Sequence, residues 1–156
     1  MKITEVRING MKNPAGYSFD SVRVSWKVTD SQGIVQKSAE IEVSLDQEFK
    51  EILYKKNSAD LNQTGEVLEM KTEPRTRYFV RVKVTDDLDE TAVSEPVSFE
   101  TAKMQESWQA KWITTEPEYK YHPVFFKEFE AEKEIQVARL YISSSWGPPV
   151  RARPRC

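Results

Sequence analysis

Asp86, Asp87, Asp89 and Glu90 form a run of acids. Two carboxyl groups about 6.5–9.5 Å apart can cleave a glycosidic bond with inversion. Six or more oxygens converging on a point can hold Ca²⁺. The order Asp-Asp-Leu-Asp-Glu has neither the alternate-residue spacing nor the Gly of a calcium loop. It reads as a solvated hairpin loop, with calcium binding and catalysis as the alternatives. The single His, His122, lies between Tyr121 and Pro123. It can act as a general base only beside a carboxylate, and Glu116 and Glu118 are near it in sequence. A loop His next to a Pro reads as structural or solvated. Trp108, Trp112, Tyr119, Tyr121, Phe125 and Phe126 can stack on pyranose rings. The competing reading is packing: the two Trp anchor a joint and the Phe residues feed a core. Ser143-Ser144-Ser145 has no nucleophile elbow and no paired base, and reads as loop. Gly10, Gly16, Gly33, Gly65 and Gly147 form no phosphate-cradling motif. Cys156 is the only Cys, which excludes an internal disulfide and a Cys-based metal site. No catalytic, cofactor-binding or metal-binding residue is assigned, no cofactor is expected, and substrate-binding residues are left unassigned.

These residues sit in a chain of 156 residues with a net charge of −2. That balance argues against a nucleic-acid protein, which needs a strong basic field. Hydrophobic residues at 38% and charged residues at 31% read as a folded, soluble chain. Folding a chain of this size buries about two thirds of its open surface, enough for one full core. No apolar run approaches the roughly 18 residues of a membrane span. The opening MKITEVRING has no apolar leader core, so a cytoplasmic location is expected. All 25 acids precede residue 135, and the end, GPPVRARPRC, is Arg- and Pro-rich in an otherwise Lys-rich chain. Residues 144–156 therefore read as an unfolded tail whose composition suggests a different coding source. The alternative is a basic arm for nucleic acid or membrane.

Alternation dominates residues 1–101. Ser21–Val28, Ala39–Leu45 and Tyr78–Val84 alternate as half-buried strands do. Shorter strands are expected at Lys2–Ile8, Ile52–Lys55, Glu66–Met70 and Pro96–Glu100. Turn signals separate them: Asn9-Gly10, Asn13-Pro14, Asp30-Ser31-Gln32-Gly33, Asn57-Ser58 and Asp86–Asp89. Asp46–Leu53 has room for one helical turn, with Asp46 as its cap and Phe49 facing inward. Seven short strands at this spacing predict a two-sheet sandwich. Pro74, Thr76 and Tyr78 lead into the longest strand as a tyrosine corner does, with the ring buried and the OH bonded to backbone upstream. Trp26 would then plug the core. With Val80-Arg81-Val82-Lys83-Val84 and the closing Ser94–Thr101, these residues resemble the fibronectin type III superfamily. The resemblance covers about 100 residues and implies an immunoglobulin-like sandwich, not a function.

Residues 108–143 predict strands at 108–113, 124–130 and 137–143, after a polar linker at 103–107. Three strands do not readily close a sandwich of their own. A fibronectin-like module followed by Trp108-Gln109-Ala110-Lys111-Trp112-Ile113, then Phe126-Lys127-Glu128-Phe129, then Ala138–Ser143, resembles the N-terminal region of bacterial α-L-rhamnosidases. In that family the last strand continues into a Gly-rich turn and a jelly-roll-like domain, whereas here the chain runs into Ser144-Ser145-Trp146-Gly147-Pro148. The resemblance implies a parent enzyme that hydrolyses terminal α-L-rhamnosides by inversion, with its acids in a downstream (α/α)₆ barrel. No catalytic residue is carried over.

The expectation is an all-β chain: a fibronectin type III/immunoglobulin-like sandwich over 1–102, a linker at 103–107, the first strands of an incomplete jelly-roll-like unit at 108–143, and a tail at 144–156. Its expected role is a non-catalytic, truncated fragment of a rhamnosidase-like glycoside hydrolase. The alternative is a free-standing carbohydrate-binding or adhesive fibronectin type III module. Expected partners are the parent's downstream domains, with self-association through exposed strands of 108–143, and neither nucleic acid nor membrane.

Overall fold

The computed structural model describes residues 1–114, 125–128, 130, 134–135 and 138–142. The chain divides into two compact units, Met1–Ser107 and Trp108–Cys156.

The first unit holds nine strands: β1 (Lys2–Ile8), β2 (Ala15–Tyr17), β3 (Val22–Thr29), β4 (Gln36–Ser44), β5 (Ile52–Ser58), β6 (Glu66–Leu68), β7 (Arg77–Asp86), β8 (Thr91–Val93) and β9 (Val97–Thr101). One sheet has the order β1-β3-β6; the other runs β2-β9-β7-β4-β5, with β8 paired to β7. Every pair is antiparallel except β2 with β9. The fold is thus the expected all-β, immunoglobulin-like sandwich.

The alternation in sequence becomes the core. Ala39, Ile41 and Val43 of β4 stand opposite Val84, Val82 and Val80 of β7, and all six are buried. Val22, Val24 and Trp26 of β3 meet them from the other sheet, in one cluster with Tyr78 and Phe99. A period of 2 puts each set on one face, so a one-residue slip would expose all of it. Asn9-Gly10 closes a two-residue turn with φ of 48° and 77°, and Ile8 and Met11 exchange both backbone bonds at 2.9 Å. Positive φ at both central positions fits a type I′ turn, which Asn-Gly favours.

The corner is present. Tyr78 is buried, and its hydroxyl accepts the backbone N–H of Glu73 at 2.7 Å, five residues upstream. Tyr78→Phe is expected to cost about 1–2 kcal/mol, one buried hydrogen bond with its donor left unpaired. Urea unfolding of the two proteins measures this, and equal midpoints would dismiss the corner as a stabilising feature.

Three local readings are corrected. β2 and β8 were not expected; each is three residues, too short to show a period, and each exists because β9 or β7 offers it a ladder. Asn57-Ser58 is not a turn but the end of β5, paired with Glu40 and Ala39. The Asn57 side-chain amide also donates to Glu40 Oε2 at 3.0 Å, which offsets its poor strand propensity. Of Asp46–Leu53, residues 46–51 form turns and bends, not a helical turn, and Ile52 and Leu53 already belong to β5. Asp46 still caps it, accepting from Lys50 N at 3.1 Å and Glu51 N at 3.4 Å, and Phe49 is buried.

Residues 103–107 are bonded to the end of the sandwich. Arg75 Nη2 donates to Glu106 Oε1 at 2.8 Å, while within 103–107 itself Lys103 Nζ donates to Ser107 O at 2.6 Å.

In the second unit, strands were expected at 108–113, 124–130 and 137–143. None of the described residues in those ranges is in a strand. A strand exists only against a partner ladder, and alternation alone does not supply one. Self-association through those edges therefore has no strand to act on among the described residues. Val124, Phe129, Val137 and Ser143 lie outside the described residues, as do His122 and the tail 144–156.

Candidate functional site

The acid run closes the hairpin between β7 and β8. Asp86 is buried. Its Oδ2 accepts from Ser31 Oγ at 2.7 Å and Gly33 N at 3.2 Å, and its Oδ1 accepts from Leu88 N at 3.0 Å and Glu90 N at 2.9 Å. Asp87 Oδ1 accepts from Ile34 N at 3.0 Å and Val35 N at 3.3 Å. Asp89 pairs with Lys37, and Glu90 pairs with the amino group of Met1. Each of the four acids thus answers a donor of the fold. No group of His, Cys, Asp and Glu among the described residues is arranged to hold a metal ion. The loop is exposed at Asp87, Leu88 and Asp89, as a solvated hairpin should be, while Asp86 is buried, and Asp86 and Asp87 clamp the β3–β4 loop to the β7–β8 loop. Gly33 is required in that clamp. A Cβ there would stand 2.4 Å from Asp87 Oδ1 and 2.6 Å from Asp86 Cγ.

The clamp sets a pH dependence. The Ser31 hydroxyl, with the N–H groups of Glu90, Leu88 and Gly33, holds the Asp86 carboxyl below the usual range, against the upward push of burial. Glu42, on β4, is likewise lowered: burial pushes it up, but hydrogen bonds and charge from Arg81 (2.7 Å) and Lys55 (3.2 Å) outweigh it. A carboxyl with a depressed folded pKa adds stability above its unfolded pKa, which is about 4. That stability is lost as pH falls through the folded value. The melting temperature should therefore hold from pH 7 to about 5 and fall steadily below about 4. Asp86→Asn should flatten part of that acid limb. An unchanged profile would mean that Asp86 is not linked to folding.

Beside the clamp lies a cleft of about 870 Å³, lined by parts of β1 and β3, the β3–β4 loop and residues Leu61–Thr64. It opens because β6 is short. β6 pairs with β3 only from Val22 to Val24. Farther along that edge Trp26 N bonds to Gln63 O at 3.0 Å, and among the described residues no strand pairs beyond it. Among the described residues lining the cleft, Trp26 alone is aromatic, and its ring is buried. Its Nε1–H has no hydrogen-bond partner among the described residues. Sequence reading missed this cleft, since its cause is the early stop of a three-residue strand.

The aromatic residues proposed for sugar stacking or packing lie in the second unit. Trp108, Trp112, Phe125 and Phe126 are exposed, Phe126 at 84% and Trp112 at 74%. None of these four is buried in a core. Tyr119 and Tyr121 lie outside the described residues, as do His122, Glu116, Glu118, Ser143-Ser144-Ser145, Gly147 and Cys156. No helix among the described residues is long and apolar enough to cross a membrane.

The family model described as the Rha78A-like, N-terminal immunoglobulin domain matches residues 3–105. Two similar solved structures are α-L-rhamnosidases. The one from Streptomyces avermitilis, complexed with L-rhamnose, is 25% identical with a TM-score of 0.61. The one from Dictyoglumus thermophilum is 26% identical, also with a TM-score of 0.61. Each match covers 74% of this chain, but only 12% and 14% of the respective neighbour. No curated protein matches.

Proposed function

The chain belongs to the Rha78A-like, N-terminal immunoglobulin domain family, and from that membership we propose that it serves as a non-catalytic accessory module of an α-L-rhamnosidase-like glycoside hydrolase. One observation carries the reading: the family match falls on the sandwich, residues 3–105, and the structural matches span only 12–14% of two rhamnosidases. The use of the acids supports it. Inversion needs one carboxyl to protonate the leaving oxygen and another to activate water, both facing the sugar. Asp86 and Asp87 instead accept backbone N–H groups, and Glu42 is held by Arg81 and Lys55. In the longer enzyme, terminal α-L-rhamnosides would be cleaved by inversion elsewhere, while this module braces the catalytic part.

Two measurements test this. The purified 156-residue chain, incubated with an aryl α-L-rhamnoside, should give no turnover where a full-length rhamnosidase does. Turnover that follows the chain through purification would overturn the assignment. Removing the corresponding sandwich from a full-length relative should lower its melting temperature and leave chemistry at the catalytic site in place. If kcat falls by orders of magnitude in a protein that melts normally, the module takes part in catalysis and the accessory role fails.

A further inference from the structure

The Asn9-Gly10 turn carries the two groups of a spontaneous cyclisation and holds them apart. The side-chain carbon of an Asn can be attacked by the backbone nitrogen of the next residue, and Gly is the least hindered attacker because it has no Cβ. Of the Asn residues, Asn9 alone precedes a Gly; the others precede Pro14, Ser58 and Gln63. The nucleophile is open. Gly10 is exposed, a Cβ there would meet nothing within 4 Å, and its N–H donates no hydrogen bond among the described residues.

The electrophile is locked. Asn9 Nδ2 donates to Ser21 O at 2.9 Å, and Asn9 Oδ1 accepts Arg23 N at 2.7 Å. Both ends of the side-chain amide are thus held by the chain that enters β3, and Asn9 N also donates to Arg23 O at 2.8 Å. Cγ lies between the two held atoms, so it cannot swing onto Gly10 N until both bonds break. Those bonds depend on β1 lying against β3. β1 is an edge strand of its sheet, and its register with β3 shifts between Thr4 and Arg7. Ile8, buried in the core, seats the end of the strand beside the turn. A segment tied down along one edge opens at a lower free energy than the whole fold.

We propose that Asn9 is a latent deamidation site, shut while β1 lies on β3 and opened by local release of the end of β1 with its turn. Once released, Gly10 N gives up its proton and bonds to Asn9 Cγ. The Cγ–Nδ2 bond breaks, and that nitrogen leaves as ammonia with the proton. Water then opens the cyclic imide at either carbonyl, leaving an aspartyl or an isoaspartyl residue. No oxidant or reductant is needed. The product cannot close as before. An aspartyl carboxylate has no N–H for Ser21 O and sets an oxygen against it instead. An isoaspartyl residue routes the backbone through the side chain, which lengthens a two-residue turn whose flanks, Ile8 and Met11, exchange both bonds. Each opening that reacts is therefore recorded covalently and loosens β1 further.

The test incubates the full chain in neutral buffer, with and without denaturing urea. Trypsin then releases residues 8–12, and the mass gained when an amide becomes an acid reports the reaction. The folded chain should react at least about tenfold more slowly than the chain in urea, because two hydrogen bonds must break first. Ile8→Val loosens the seat of β1 and should speed the folded-state reaction about two- to tenfold, with the rate in urea unchanged. Tyr78→Phe, a change in the other sheet, should leave both rates as they are. In urea, Gly10→Ala should react several-fold more slowly than the parent, because the attacking nitrogen then sits beside a Cβ. Equal rates in the folded chain and in urea would overturn the lock. An Ile8→Val rate equal to the parent's, or an equal acceleration by Tyr78→Phe, would overturn local opening as the gate. A Gly10→Ala chain reacting at the parent's rate in urea would overturn ring closure as the route.

Discussion

Trp26→Ala is expected to remove about 3–5 kcal/mol from the stability of the sandwich, the usual cost of truncating a buried Trp. A domain of this size has about 5–15 kcal/mol in total, so the variant should be largely unfolded near 37 °C or melt some tens of degrees lower. Trp26 is only 4% exposed and packs in the cluster that joins both sheets. Its removal leaves a cavity that neighbours on two sheets cannot close together, since each is held by its own ladder. Trp26→Phe should behave differently. It keeps most of the apolar contact and deletes the Nε1–H, which has no hydrogen-bond partner among the described residues. An unpaired buried donor costs about 1–3 kcal/mol, so its loss offsets part of the lost volume. Denaturant unfolding of both variants measures the contrast. A Trp26→Ala protein melting within a few degrees of the parent would mean that Trp26 does not organise the core.

The core was legible in sequence because burial on one face writes a period of 2 directly into the residue order. Trp26, Tyr78, Val80 and Val82 could be placed before any coordinates, and all are buried. The corner was legible for a second reason: Pro74, Thr76 and Tyr78 lie within one local turn, and the bond from Glu73 to Tyr78 spans five residues. The clamp was not legible. Asp86 answers Ser31 and Gly33 across more than fifty residues, and only the pairing of β4 with β7 brings those loops together. Read locally, the acids suggested solvent, calcium or catalysis; the donors at Leu88 and Glu90 are local, but those at Ser31, Gly33, Ile34 and Val35 are not. The same limit hid the cleft, which depends on where a neighbouring strand stops. In residues 108–142, alternation without an available partner produced expected strands that the described residues do not form.

Phe99→Ala should cost a comparable 3–5 kcal/mol, for a reason that involves strand order as well as volume. Phe99 is 1% exposed and stacks on Tyr78 with ring centroids 4.9 Å apart and planes 18° apart. Its other side meets Phe19 edge-on at 6.3 Å, and Phe19 in turn stacks on Tyr17 at 5.8 Å. Phe99 also lies opposite Tyr78 in the pairing of β9 with β7. Among the described strands β9 is the one neighbour of β2, so β9 fastens that edge strand to the sheet. Truncation therefore removes the ring that seats the corner tyrosine and loosens the strand that holds β2. Phe99→Leu retains much of the apolar volume without the ring stacking, worth about 0.5–1.5 kcal/mol beyond area, so it should fall well short of the Ala variant. Hydrogen exchange separates the two contributions. In Phe99→Ala, amides of β2 and β9 should lose protection before those of β3 and β4, because the former depend on one another at the edge and the latter keep their own partners. Uniform loss of protection across both sheets would show that Phe99 acts through core volume alone. Protection unchanged at β2 would show that the edge is held by contacts other than β9.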